Sequence, residues 1–146
     1  PWGLLILFGG GLSLAAQISS SGLGIWIGNS LLILSTVPPI LLILAVATLI
    51  IFLTEITSNV TTTTTFLPVF GALAIAIGVL PVSLTVPVCL AASCAFMLPV
   101  ATPPNAIVYG SNKFTIATMM RAGFALNIVG ILVVTIFAYY FAPLIF

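Results

Sequence analysis

Charge is what this chain has least of. It has no histidine, a single acidic residue, Glu55, and two basic ones, Lys113 and Arg121. Only 2% of its 146 residues are charged, whereas a soluble domain carries about 25%, so it has no means of presenting a solvated surface. Without histidine, neither a Ser-His-Asp nor a Cys-His arrangement can form within the chain. One carboxylate cannot supply a paired acid and base. There is no phosphate-binding glycine loop and no cluster of metal-ligating side chains. A net charge of +1 implies no nucleic-acid partner. The two cysteines, Cys89 and Cys94, lie within one apolar run at a spacing that suits neither a metal pair nor a redox motif, and they read as buried, unpaired thiols in a helix. An enzyme is therefore not expected.

What the chain does have is hydrophobic residues, 62% of the total, with a mean hydropathy of +1.47. The class this implies is an all-α polytopic membrane protein in a lipid bilayer. The opening, Pro1-Trp2-Gly3, lacks a basic region followed by a small-residue cleavage site, and it reads as the start of an internal or C-terminal piece of a longer protein.

Spanning the hydrocarbon core takes roughly 20 apolar residues in a helix. Residues 2–17 form a first, short transmembrane segment interrupted by Gly9-Gly10-Gly11, which suits close helix packing or a bend against a ligand. Residues 18–30 are small, more polar and weakly amphipathic, as an interfacial helix would be. A strongly apolar run extends to residue 53, its regular helix starting near Pro38-Pro39. The polar tract 54–65 follows, then apolar residues 66–80 with turn signals at Gly78 and Pro81. Residues 82–100 are apolar up to Pro99, and Ala101-Thr102-Pro103-Pro104-Asn105 interrupts them. A short segment 106–110, a polar loop 111–118 and a last span at about 119–142 complete the chain. Lys113 and Arg121 flank that loop and make it cytoplasmic by the positive-inside rule.

The tract around Glu55 is the sharpest signal. Small polar residues between apolar segments mark either an external loop joining two full spans or the tip of a re-entrant hairpin, and composition leaves both open. Irregular backbone at membrane depth is tolerated only inside protein or beside water. Asn59-Val60-Thr61 matches a glycosylation sequon but would be out of reach at that depth. At each interruption a broken helix offers two unlike ends, carbonyls that suit a cation and N–H groups that suit an anion. Discontinuous helices in secondary transporters use both. Ser58 or Asn59 can cap the helix after the first break, and Asn105 the helix after the second. Glu55 can be a proton or cation ligand, but a structural carboxylate bonded to nearby hydroxyls and N–H groups is the preferred reading. Roughly half of the threonine hydroxyls at 61–65 are expected to bond back to the helix backbone.

Two segments carry a resemblance. TEITSNVTTTTTFLPVF at 54–70 and FMLPVATPPNAIVYGS at 96–111 resemble the divalent anion/sodium symporter family of sodium-coupled di- and tricarboxylate transporters. PWGLLILFGGGLSLA at the start and MMRAGFALNIVGILVV from 119 are similar to the same family, so the likeness covers nearly the whole chain. It implies the C-terminal repeat of an inverted-repeat transporter, with a re-entrant hairpin at 37–79, a discontinuous transmembrane helix at 82–110 and a last transmembrane helix at 118–142. It further implies a sodium site at Thr54, Thr57, Asn59 and the Ala101 carbonyl, with Na+ as coupling ion and no other cofactor. Part of a substrate site follows at Ser58, Asn59, Val60, Thr102 and Pro103. Val60 stands where the family pattern has threonine, which removes one hydroxyl, although some animal carboxylate transporters carry the same Ser-Asn-Val form. The implied function is sodium-coupled symport of a small-molecule carboxylate (succinate, malate, fumarate or citrate) across the plasma or bacterial inner membrane by a multi-pass homodimer. Sulfate or another divalent anion is the alternative substrate, and a non-transporting truncated membrane module the alternative class.

Overall fold

The computed structural model describes residues 37–145 continuously, except the side chains of 143 and 145, and scattered positions between 6 and 26. The expected segments at 2–17 and 18–30 lie for the most part outside the described residues. The rest is helical: α1 (Pro39–Thr54), α2 (Asn59–Ala76), α3 (Val82–Ala92), α4 (Pro103–Gly110), α5 (Ile116–Tyr140) and the short α6 (Ala142–Ile145). No strand occurs among the described residues.

Local chemistry sets the helix ends. Pro39 opens α1 at its first position, where a missing N–H costs nothing. Ser58, in extended backbone, starts α2 by accepting from the Thr61 N–H at 3.1 Å. Gly78 stops α2 in the left-handed region at φ 76°. There its own N–H bonds the Ile75 carbonyl and the Val79 N–H reaches back to Ala74, the closing pattern that a Cβ would strain. Thr102 and Thr115 cap α4 and α5 in the way Ser58 caps α2.

The core is made by one stripe of each long helix. On α1 the buried residues are Leu42, Ile43, Val46, Ala47, Ile50, Ile51 and Thr54, pairs recurring every four positions. Leu41, Leu49 and Phe52 on the other side are exposed. Such a face suits hydrocarbon, and α2 and α5 are long and apolar enough to cross a membrane. The helices α1, α2 and α5 all pack on α3, and α1 also packs on α5, while α1 and α2 make little contact with each other. Lipid tails are as apolar as leucine, so close packing and hydrogen bonds must hold such helices together.

Several sequence expectations shift. The polar tract 54–65 is mostly helix, and only Glu55–Ser58 lie between α1 and α2, because the Ser58 cap lets α2 begin at once. The apolar run 82–100 is helical only to Ala92, and the irregular stretch extends over 93–102, for a reason the site makes plain. Cys89 is exposed, and Cys94 is half-buried and outside the helix, so neither is the buried helical thiol expected.

The tightest approach is at Gly123 of α5, where a Cβ would overlap the Phe96 carbonyl oxygen and press on Met97 Cα. Backbone cannot yield as a flexible side chain can. Gly123→Ala is therefore expected to destabilise the full-length protein by about 1–3 kcal/mol, the usual cost of overpacking. At Gly130 the nearest atoms to a Cβ are side-chain atoms of Cys94 and Ile51 at 3.6–3.7 Å, so Gly130→Ala is expected to be near neutral. Thermal unfolding in detergent checks both, and equal melting temperatures for the two variants would refute the close approach.

Candidate functional site

Glu55 begins the turn between α1 and α2 and is only 4% exposed. Its partners are not the neighbouring hydroxyls. The backbone N–H groups of Phe96, Met97 and Leu98 all donate to its carboxylate, at 2.8 Å, 2.9 and 3.1 Å, and 3.0 Å. The Asn127 amide on α5 adds a fourth donor at 2.7 Å. A carboxylate is an acceptor only, and here every partner is a donor. Successive N–H groups converging on one anion form a nest, and orienting them toward Glu55 takes residues 96–98 out of the helical ladder. That is why α3 cannot run to Pro99.

The same stretch is held from its other side. Asn105 does not cap α4, a task Thr102 performs; its amide donates instead to the Ala95 and Leu98 carbonyls at 2.9 and 3.0 Å. The irregular backbone at 95–98 is thus bonded through N–H groups on one flank and carbonyls on the other, as buried backbone requires. Asn127 is fully buried, and its own carbonyl oxygen has no partner among the described residues.

A cavity of about 610 Å³ lies between the two interruptions. Ser58, Asn59 and Val60 line it from the start of α2, and Ala101, Thr102 and Pro103 from the start of α4. All five residues expected at a substrate site therefore border one space, with Ala101 beside them. No charged side chain lines it among the described residues.

Beside the cavity three oxygens converge. The Thr54 hydroxyl lies 2.9 Å from Asn59 Oδ1 and 2.9 Å from the Ala92 carbonyl. One hydroxyl proton cannot satisfy both acceptors, so the cluster has an excess of lone pairs. Thr57 is differently placed. Its hydroxyl donates to the Leu53 carbonyl at 2.9 Å and meets Thr62 Oγ1, so it is engaged with partners other than the Thr54 cluster, and its backbone carbonyl is the freer oxygen. The Ala92 carbonyl was not legible in advance, since a main-chain oxygen has no side-chain signature.

The two helix starts differ as anion sites. At α2 the N–H groups of Asn59 and Val60 precede the first capped donor and have no acceptor among the described residues. At α4 the first two positions are Pro103 and Pro104, which have no N–H, and the next N–H, of Asn105, goes to Thr102. Only α2 offers free donors. Among the threonines at 61–65, those at 62, 63 and 64 bond back to the carbonyls of Ser58, Asn59 and Val60.

The family model described as the sodium:sulfate symporter transmembrane region matches residues 1–146. The chain belongs to this family. It is an integral membrane protein, and its relatives are transporters. It is 48% identical over 143 residues to the sodium-dependent dicarboxylate transporter SdcS of Staphylococcus saprophyticus. Over 145 residues it is 48% identical to the protein of the same description from Staphylococcus aureus strain MRSA252. These alignments take in 98% and 99% of the chain but 28% of each relative, so it spans little more than a quarter of their length.

Glu55→Gln replaces one acceptor oxygen with an NH2 group that would face N–H donors. It is expected to cost about 1–3 kcal/mol, the penalty for buried polar groups left unpaired. Glu55→Ala, which strands three N–H groups and the Asn127 amide, is expected to cost more. Melting temperatures of the two full-length variants, ranked in that order below the parent, would bear this out, and an unshifted Glu55→Ala would refute it.

Proposed function

We propose that this chain forms part of a sodium-coupled symporter of di- and tricarboxylates such as succinate, malate, fumarate and citrate, and that it contributes one sodium site and half of the substrate site. The observation that carries the reading is the Thr54–Asn59–Ala92 oxygen cluster beside the free N–H groups of Asn59 and Val60. A hard cation takes neutral oxygen ligands readily, and an anion takes N–H donors at a helix start. Asn59 serves both. Its Oδ1 belongs to the cation cluster and its N–H faces the anion, so filling one site orders the residue that builds the other. Turning the Asn59 amide over would place Nδ2 against Thr54 and leave no need for a cation; the orientation with Oδ1 inward is the one that suits sodium. The Ala101 and Thr57 carbonyls complete the sodium site in this reading. Ser58, Val60, Thr102 and Pro103 border the substrate.

The relatives' description as sodium-dependent dicarboxylate transporters supports the ion and the substrate class. The α1–α2 pair is read as a re-entrant hairpin, and α3 with α4 as one transmembrane helix broken at membrane depth. The complementary sites then lie in the remainder of the full-length protein, which we take to work as a homodimer in the plasma or bacterial inner membrane. Sulfate is the second reading for substrate, favoured by the family's own description.

Reconstituted in liposomes, the full-length protein is expected to take up succinate under an inward sodium gradient and not under an equal potassium gradient. Thr54→Val, which removes an oxygen at constant shape, is expected to raise the sodium concentration for half-maximal uptake about tenfold, as the loss of one neutral oxygen ligand worth about 1.4 kcal/mol would. Asn59→Ala is expected to abolish measurable uptake. Uptake indifferent to sodium, or intact in Asn59→Ala, would overturn the ion site; sodium-driven uptake of sulfate but not succinate would favour the second reading.

A further inference from the structure

The proposed substrate cavity has a third hydroxyl that no part of the reading above uses. Ser93, the residue that ends α3, is exposed and lines the cavity from the wall of the irregular stretch. It also lines an adjoining recess of about 230 Å³, whose other walls are Asn59, Val60, Thr63 and Thr64 of α2. In that recess the hydroxyls of Thr63 and Thr64 are spent, donating to the Asn59 and Val60 carbonyls at 2.8 Å each. Ser58 shares its hydroxyl with Thr61 at 2.7 Å while capping α2. The Ser93 hydroxyl has only the Cys89 carbonyl, at 3.4 Å, well beyond the usual span of about 2.5–3.0 Å for an O–H donor. It is a donor free to turn toward the cavity.

The need for such a donor arises at Val60. Val60 is 39% exposed and borders both spaces, so the start of α2 offers an anion two N–H groups and no side-chain hydroxyl at that position. A carboxylate presents about four lone-pair sites, and in a site without charged side chains an unfilled one is costly. Resting on the carboxylate reading above, we propose that Ser93 is a substrate-selecting residue. Its hydroxyl donates to a carboxylate oxygen held at the start of α2, supplying across the cavity the hydroxyl that Val60 lacks.

The test is succinate uptake by the full-length protein in liposomes under a sodium gradient. Ser93→Ala is expected to raise the half-saturating succinate concentration roughly ten- to hundredfold, as the loss of a hydrogen bond to a charged group does, while the half-saturating sodium concentration and the maximal rate stay near those of the parent. Ser93→Thr keeps the hydroxyl and is expected to behave like the parent. Adding Val60→Thr to Ser93→Ala is expected to recover most of the lost affinity, because it restores one hydroxyl from the other side. A purely structural role for Ser93 at the end of α3 would not be rescued from α2. Unchanged succinate affinity in Ser93→Ala, a loss that Val60→Thr fails to recover, or a shift confined to sodium would each overturn the inference and leave the carboxylate reading standing. A parent protein with no sodium-driven succinate uptake would remove both.

Discussion

One carboxylate meeting three consecutive backbone N–H groups is the contact on which the remainder of this structure rests. In lipid, an unpaired carboxylate and three unpaired N–H groups would each be expensive, and neither could turn to water. Brought together they cancel. The Glu55 side chain ties the α1–α2 turn to the irregular stretch after α3, and Asn127 extends the tie to α5. Three consequences follow. The α3 helix stops at Ala92, the α5 backbone comes down on Phe96 and Met97 at Gly123, and the start of α2 is held opposite the start of α4 with a cavity between them. A single ionisable group that is fully bonded adds specificity in a medium where apolar contacts between helices discriminate poorly.

That division leaves the cavity itself free of charged side chains. Glu55 is withdrawn into a structural role, and the polar residues that line the open space, Ser58, Asn59, Ser93, Thr102 and Asn105, are all neutral. A lining of neutral groups avoids the desolvation cost that a buried charged side chain would carry. The two interruptions are also less alike than their composition implies. Both have a hydroxyl cap, yet Pro103 and Pro104 leave the start of α4 without donors, whereas Asn59 and Val60 keep theirs. The two helix starts that border the cavity therefore differ in the free backbone donors they offer.

Much of the candidate site was legible because its signals are local. Ser58 and Thr102 precede helices, and capping acts over three residues. Ser58, Asn59, Val60, Ala101, Thr102 and Pro103 flank the two breaks in an apolar background and border one cavity. Glu55 has the structural role and the N–H partners expected of it, but not the hydroxyls, and the N–H groups are not nearby in sequence: they lie 41 to 43 positions away, a separation that no local signal reveals. Asn127 does leave a readable trace in the sequence. A lone amide in an otherwise apolar span is costly unless it has a task. The Ala92 carbonyl and the Ser93 hydroxyl left none, since only the fold brings them beside Thr54 and the start of α2.

The amino-acid order alone determined the membrane class, the run of helices and the places where they break, since hydropathy, proline, glycine and capping chemistry act within a turn or two of helix. The tertiary structure decided how long each break is, that Glu55 braces the fold through backbone far along the chain, and that Thr54 and Asn59 share an excess of lone pairs with Ala92. Those outcomes depend on groups separated by 38 to 72 positions being brought within hydrogen-bond reach. Periodicity carries no information about which distant groups will meet; packing and the need to satisfy every buried polar group select them.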